Sequence, residues 1–175
     1  ARGAKVTLIT TAPHDLPDDV RVVEVETAAE MAAAVEAERS RADIFVMAAA
    51  VADFRPVQVA AGKLKKTEGL PEVVLEPTVD ILAGLGRAKR DGQTLVGFAA
   101  ETHEMRKNAL AKLAGKGADL VVANDVSAPG AGFGHDTNQV TIFTAAGAER
   151  DVPLADKEAV AKVVFDEVLE QRSTT

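Results

Sequence analysis

The chain has 175 residues with 20 basic against 27 acidic side chains, a net charge of -7, and neither cysteine, tryptophan nor tyrosine. At about 100–200 residues per domain, this length predicts a single domain over 1–175 that can bury a core without covalent staples. Zero cysteines exclude disulfide frameworks, thiolate zinc sites and cysteine nucleophiles. An acidic balance with six phenylalanines as the only aromatics argues against a nucleic-acid partner, which needs a basic face and stacking platforms. No apolar run approaches the roughly 18 residues of a membrane span, so no membrane partner is expected and the expected location is the cytoplasm. The 33 alanines and 23 valines are small and β-branched residues suited to close packing of helices on a sheet.

Ala1-Arg2-Gly3-Ala4 reads as the last turn of a helix, followed at once by a buried strand, Lys5 to Thr10. A domain seldom opens on a helix stop, so a strand and most of a helix are expected upstream, with the chain truncated at its amino end. After a turn-rich stretch, Arg21–Val25 is a second strand. Thr27-Ala28-Ala29-Glu30 is a capping box that opens a helix to about Arg39. Ile44–Ala48 is a strand, and a long polar loop from Asp53 to about Leu70 follows it. A short strand over Glu72–Glu76 precedes a helix from about Thr78 to Arg90. Thr94–Phe98 is a strand, Thr102–Ala114 a helix that stops at Gly115 and Gly117, and Leu120–Ala123 a strand. A second long loop, Asn124–Asn138, leads to a hairpin of Val140–Phe143 and Arg150–Leu154 around Ala146-Gly147. Ala155–Glu170 closes the chain as an amphipathic helix. This alternation predicts an α/β fold: a Rossmann-like, mostly parallel sheet with helices on both faces, two long loop insertions and a C-terminal β-hairpin.

In open parallel sheets, ligands bind beyond the carboxyl ends of the strands. Three such places carry polar groups: Ala49 to Phe54 with Asp53, Phe98 to Thr102 with Glu101, and Asn124-Asp125. Two lie behind alanine runs that let a ligand approach the backbone. Lys63-Leu64-Lys65-Lys66, between Gly62 and Gly69, reads either as solvated charge or as lysines closing over a polyphosphate. Lys112 and Lys116 lie i,i+4 near a helix end, where cations also favour the helix dipole. Lys89 reads as an ordinary surface lysine. There is no Walker loop, and Gly130, Gly132 and Gly134 are not placed between a strand and a helix as a dinucleotide fingerprint requires. Ser40, Ser127 and Ser173 form no nucleophile elbow, His14, His103 and His135 are too scattered for a metal site, and His135–Asn138 lacks the remaining ligands of a calcium loop.

Five blocks in order carry a family resemblance: Ala48-Ala49-Ala50-Val51-Ala52-Asp53-Phe54-Arg55-Pro56, Lys63-Leu64-Lys65-Lys66, Gly97 to Thr102, Leu120 to Val126, and Gly132-Phe133 with Asp136 and Asn138. In order and spacing they resemble bacterial phosphopantothenoylcysteine synthetase, over about Lys5 to Glu170. The resemblance implies a ligase of coenzyme A biosynthesis. It would join 4'-phosphopantothenate to L-cysteine using CTP and magnesium, through an acyl-cytidylate, with release of pyrophosphate and CMP. It also implies a homodimer, with the partner at 55–75 and 139–154, and a multifunctional parent whose fused upstream decarboxylase would hold FMN.

By the same resemblance, Asp53 contacts the nucleoside, and Lys63 reaches the triphosphate from a closing flap. Val79-Asp80-Ile81-Leu82 matches the family's cytosine and helix-start segment, with valine in place of proline. Phe98 packs on the nucleotide, and Lys112 and Lys116 hold phosphates. Asn124 stands in the family's Ala-Asn-Asp turn and, with Lys63, is the catalytic candidate; Asp136 and Asn138 lie near substrate or the dimer contact. The Gly-Gly-Thr and Asn-x-Ser-Ser-Gly-Lys segments that open the family do not occur here, in keeping with a first βα unit upstream. Two other readings stand beside the ligase: a CTP-binding dimerisation fragment without full activity, and an NAD(P)-binding Rossmann reductase domain.

Overall fold

The structure, a computed structural model, describes residues 2–12, 16–60, 62–64, 72–101, 104–125 and 134–174. The chain forms two compact units, Ala1–Ala37 with Ala50–Asp80, and Glu38–Ala49 with Ile81–Thr175.

In the first unit, β1 (Val6–Thr10) and β2 (Val20–Glu24) pair in parallel, Val6 opposite Val20 through Thr10 opposite Glu24. Helix α1 (Ala28–Glu38) begins at the expected capping box. The Glu30 amide donates to Thr27 Oγ1 at 3.1 Å, and Glu30 Oε2 accepts from the amides of Thr27 at 3.1 Å and Glu26 at 2.8 Å. These amide donors, Glu26 first and then Thr27, hold the Glu30 carboxyl below its ordinary pKa. A depressed carboxyl pKa contributes stability that is complete above the unfolded value and declines as pH falls through the folded one. Glu30→Ala is therefore expected to lower the urea midpoint at neutral pH, with the difference from wild type shrinking as pH drops below the ordinary carboxylate range. A pH-independent difference would show that the carboxylate is not what caps the helix.

The loop expected over 53–70 contains a strand. β4 (Phe54–Pro56) pairs antiparallel with β5 (Leu75–Pro77), which begins three residues later than the strand expected at Glu72. The Arg55 guanidinium reaches Glu76 Oε1 at 2.7 Å across the pair, and the Val57 amide donates to the Val74 carbonyl at 3.0 Å. Phe54, Val57, Val73, Val74 and Leu75 are exposed.

The second unit is a five-stranded sheet in the order β3-β6-β7-β8-β9. Its strands are β3 (Ile44–Met47), β6 (Thr94–Glu101), β7 (Leu120–Asp125), β8 (Thr137–Thr144) and β9 (Glu149–Asp156). The first three run parallel, and the hairpin continues the sheet antiparallel. Gly147, at φ 90°, makes the hairpin turn. The central strand is apolar on both faces because both faces are covered: Leu120, Val121, Val122 and Ala123 are fully buried.

Alternation along the strands divides the helices between the faces. Val96, Leu120, Val122, Val140, Ile142 and Val152 pack with Val160, Val164 and Val168 of α4 (Lys157–Thr174), whose i,i+4 valines form one stripe. The opposite face, through Gly97, meets Leu82 of α2 (Ile81–Arg87), and α3 (Met105–Lys116) packs on it with Ala109 and Leu113 buried. The expected α/β class, with helices on both faces of a mostly parallel sheet and a C-terminal hairpin, is what the chain forms. The second helix is shorter than the expected Thr78–Arg90 at both ends; at its start Thr78 is held in the preceding segment, its amide donating to Asp53 O at 2.9 Å and its hydroxyl to Ala52 O at 2.5 Å. Among the described residues no helix is long and apolar enough to cross a membrane.

Candidate functional site

Because β3, β6 and β7 are parallel, their carboxyl ends share one edge of the second unit. Ala48-Ala49, Ala99-Ala100-Glu101 and Asn124-Asp125 lie there, with Ala100 opposite Asn124 in the β6–β7 register. The sheet thus brings together the strand ends that the sequence marked in this unit.

The residues around this edge approach from two faces. Phe98 and Asn124 alternate with Val96 and Val122 onto the side of α4. Phe98 is half-buried against the valine core, so only part of its ring is open to a ligand. The half-buried Asn124 side chain has no hydrogen-bond partner among the described residues. On the opposite side, Lys112 is half-buried and donates from Nζ to the carbonyl of Phe98 at 2.7 Å, and no carboxylate pairs with it among the described residues. Lys116 is one turn further along α3, which ends on Gly117 at φ 63°. Ile81 is buried, and Leu82 is half-buried over Gly97.

In the first unit, Asp53, Lys63, Val79 and Asp80 are all exposed. Asp53 gives its main-chain carbonyl to Thr78, which ties the start of β4 to the segment leading into Val79-Asp80. Lys63 has no partner among the described residues. Lys65, Lys66, Thr102, Gly132 and Phe133 lie outside the described residues, as do His14 and His103. His135, Asp136, Asn138 and Gln139 lead into or open β8; the Asn138 side chain accepts from the Gln139 amide at 3.0 Å, and Asp136 O from the Lys157 amide at 3.0 Å. Among the described residues no three His, Cys, Asp or Glu side chains could hold a metal ion.

Three residues that sequence reasoning did not single out shape the second unit. Asp119 accepts from the Leu95 amide at 2.7 Å and from Lys89 Nζ at 2.5 Å, so Lys89 is a structural partner rather than a plain surface lysine. Gln93 is buried, donating to Arg39 O at 2.8 Å and Ala42 O at 2.7 Å and accepting from the Arg90 amide at 2.9 Å. Gly86 lets α2 and α3 meet backbone to backbone. The two glycines in Ala83-Gly84-Leu85-Gly86 were a legible signal, since helix interiors disfavour glycine unless packing needs it.

This chain is 46% identical over 169 residues to the coenzyme A biosynthesis bifunctional protein CoaBC of Bacillus subtilis (strain 168), an alignment covering 95% of this chain and 41% of that protein. The chain thus spans less than half the length of that relative. Its fold is similar to the crystal structure of the C-terminal domain of a coenzyme A biosynthesis bifunctional protein CoaBC, with a TM-score of 0.80 and 35% identity over 99% of this chain and 77% of that one. A more distant likeness, of fold alone, is to the Cab2 mutant H337A in complex with phosphopantothenate-cysteine: TM-score 0.70, 19% identity, 90% of this chain and 54% of that one. The family model described as the DNA/pantothenate metabolism flavoprotein C-terminal domain matches residues 1–171, and the chain belongs to that family.

Proposed function

We propose that this chain is the ligase portion of a coenzyme A biosynthesis protein, joining 4'-phosphopantothenate to L-cysteine at the expense of CTP. The observation that carries the reading is Lys112: a half-buried ammonium at the sheet's ligand edge, bonded to a main-chain carbonyl and facing no described carboxylate. A partly desolvated cation without an acidic partner suits an anionic ligand. Asn124, at the same sheet edge beside Ala100 but on the opposite face, has a side-chain amide without a partner among the described residues and offers hydrogen bonds to the same kind of ligand. The name of the 46% identical relative supports the pathway.

In this reading the phosphopantothenate carboxylate attacks the α-phosphate of CTP, forming an acyl-cytidylate and expelling pyrophosphate. The cysteine amine then attacks the acyl carbon, forming the amide, losing a proton and releasing CMP. By the family resemblance Lys112 and Lys116 hold phosphates, Phe98 packs on the nucleotide, the 79–82 segment lies at the cytosine, and Asn124 is a catalytic candidate. The roles of Asp53 on the nucleoside and Lys63 on the triphosphate rest on the family resemblance. Such a transfer is accelerated mainly by positioning and by fixed positive charge on the leaving group. Magnesium would enter with the nucleotide, whose phosphates supply most of its oxygens. The described residues offer it no carboxylate cluster of their own. FMN would belong to a fused decarboxylase elsewhere in the parent protein, and a homodimer is the proposed assembly.

The full-length protein is expected to release pyrophosphate only when CTP and 4'-phosphopantothenate are both present, and CMP only after L-cysteine is added. Pyrophosphate release that ignores phosphopantothenate would reject the ligase. Tight binding of CTP by the 175-residue chain alone, with neither product, would favour the fragment that binds nucleotide without completing the ligation.

A further inference from the structure

Helix α2 lies on the same sheet face as α3, and at Gly86 the two backbones approach too closely for any side chain. A Cβ at position 86 would stand 1.8 Å from the Lys116 carbonyl oxygen and 2.8 Å from its carbonyl carbon. These are main-chain atoms at the end of α3, which cannot swing aside as a side-chain tip would. Gly97, beneath the other end of α2, is a softer contact: there a Cβ would meet the Leu82 Cδ2 at 2.9 Å, which a rotamer change can relieve. Gly84, in the same helix, would place its Cβ in open space.

We infer that Gly86 is a positioning residue for the lysine face of α3, a role that rests on the nucleotide-binding reading above. It lets the α2 backbone seat directly on the carbonyl of Lys116, and so fixes the end of the helix that carries Lys112 and Lys116. Lys112 Nζ lies 2.7 Å from the Phe98 carbonyl, a reach that a shift of α3 would break. Any side chain at 86 must drive the two helices apart by roughly an ångström, and misplacement on that scale is enough to lose much of a site's binding or rate.

The test compares wild type, Gly86→Ala and Gly84→Ala in the full-length protein, titrating CTP by calorimetry and measuring the KM of CTP and of L-cysteine separately. Gly84→Ala is expected to match wild type in both. Gly86→Ala is expected to bind CTP about tenfold or more weakly and to raise the CTP KM alone. A merely structural role would lower the active fraction, and so kcat, while leaving CTP affinity unchanged, and that result overturns the inference. Wild type that fails to bind CTP rejects the nucleotide reading itself, and this inference with it. If Gly86→Ala does not fold, hydrogen exchange on wild type decides: CTP must slow the amides of 84–88 together with those of 112–117. Slowing confined to 112–117, or absent from both, overturns it.

Discussion

Replacing Lys63 by glutamine is expected to lower CTP-dependent pyrophosphate release by about a hundredfold or more, the scale on which one fixed donor to developing charge acts. Lys63 is exposed and has no partner among the described residues, so its loss should leave the unfolding transition where it was. The whole effect would then fall on the ligand. Glutamine keeps a hydrogen-bond donor on a chain one methylene shorter and removes the charge. At contact, an ammonium and a phosphate oxygen attract by roughly 4 kcal/mol at an effective dielectric near 20, before desolvation is subtracted. Left in open solvent, the same charge contributes about 0–1 kcal/mol. Lys89 cannot serve as the control, because it is bound to Asp119, which also holds the Leu95 amide. Lys162, exposed and bridged to Glu158 one turn back on α4 at 2.8 Å, is the better comparison. Equal turnover of the Lys63→Gln and Lys162→Gln proteins would return Lys63 to the role of solvated charge.

What could be read without coordinates was whatever depended on local chemistry or period. The Thr27–Glu30 capping box, the apolar run at Leu120–Ala123 and the amphipathic last helix each follow from spacing alone, and each forms as spacing demands. The β4–β5 pair was not legible, because each strand is three residues long and ends in proline, and its pairing is held by a contact twenty-one positions apart, Arg55 to Glu76. Long-range partners of this kind leave no periodic trace. The same limit explains the second helix, which Thr78 would have opened had it not been engaged by Ala52 and Asp53. Of the candidate site, alternation sufficed to find the strand ends at Ala99-Ala100 and Asn124. That Lys112 rests on a strand carbonyl, and that Phe98 leans into the valine core, depend on how α3 and α4 dock on the sheet.

Ile142→Ala is expected to destabilise the second unit by about 2–5 kcal/mol, a large part of the roughly 5–15 kcal/mol that holds a domain folded. Ile142 is fully buried in the middle of β8, with Val122 of β7 opposite on one side and Arg150 of β9 on the other. Removing its outer carbons leaves a cavity whose walls cannot close in. The strand is held in register on both edges, and the facing Val160, Val164 and Val168 are β-branched and stiff at χ1. The cost should therefore sit above the transfer term alone. The cavity would open two residues along β8 from Val140, the partner of Asn124, so weakening here also loosens the support of the candidate site. In urea, the midpoint should fall with the slope unchanged, since the folded and unfolded surfaces are nearly the same. Val59→Ala, at a side chain 86% exposed, should move the midpoint by no more than about 0.5 kcal/mol equivalent. A loss below about 1 kcal/mol at Ile142 would mean that β8 and α4 do not enclose it as tightly as the structure has it, and the core between them would have to be redrawn.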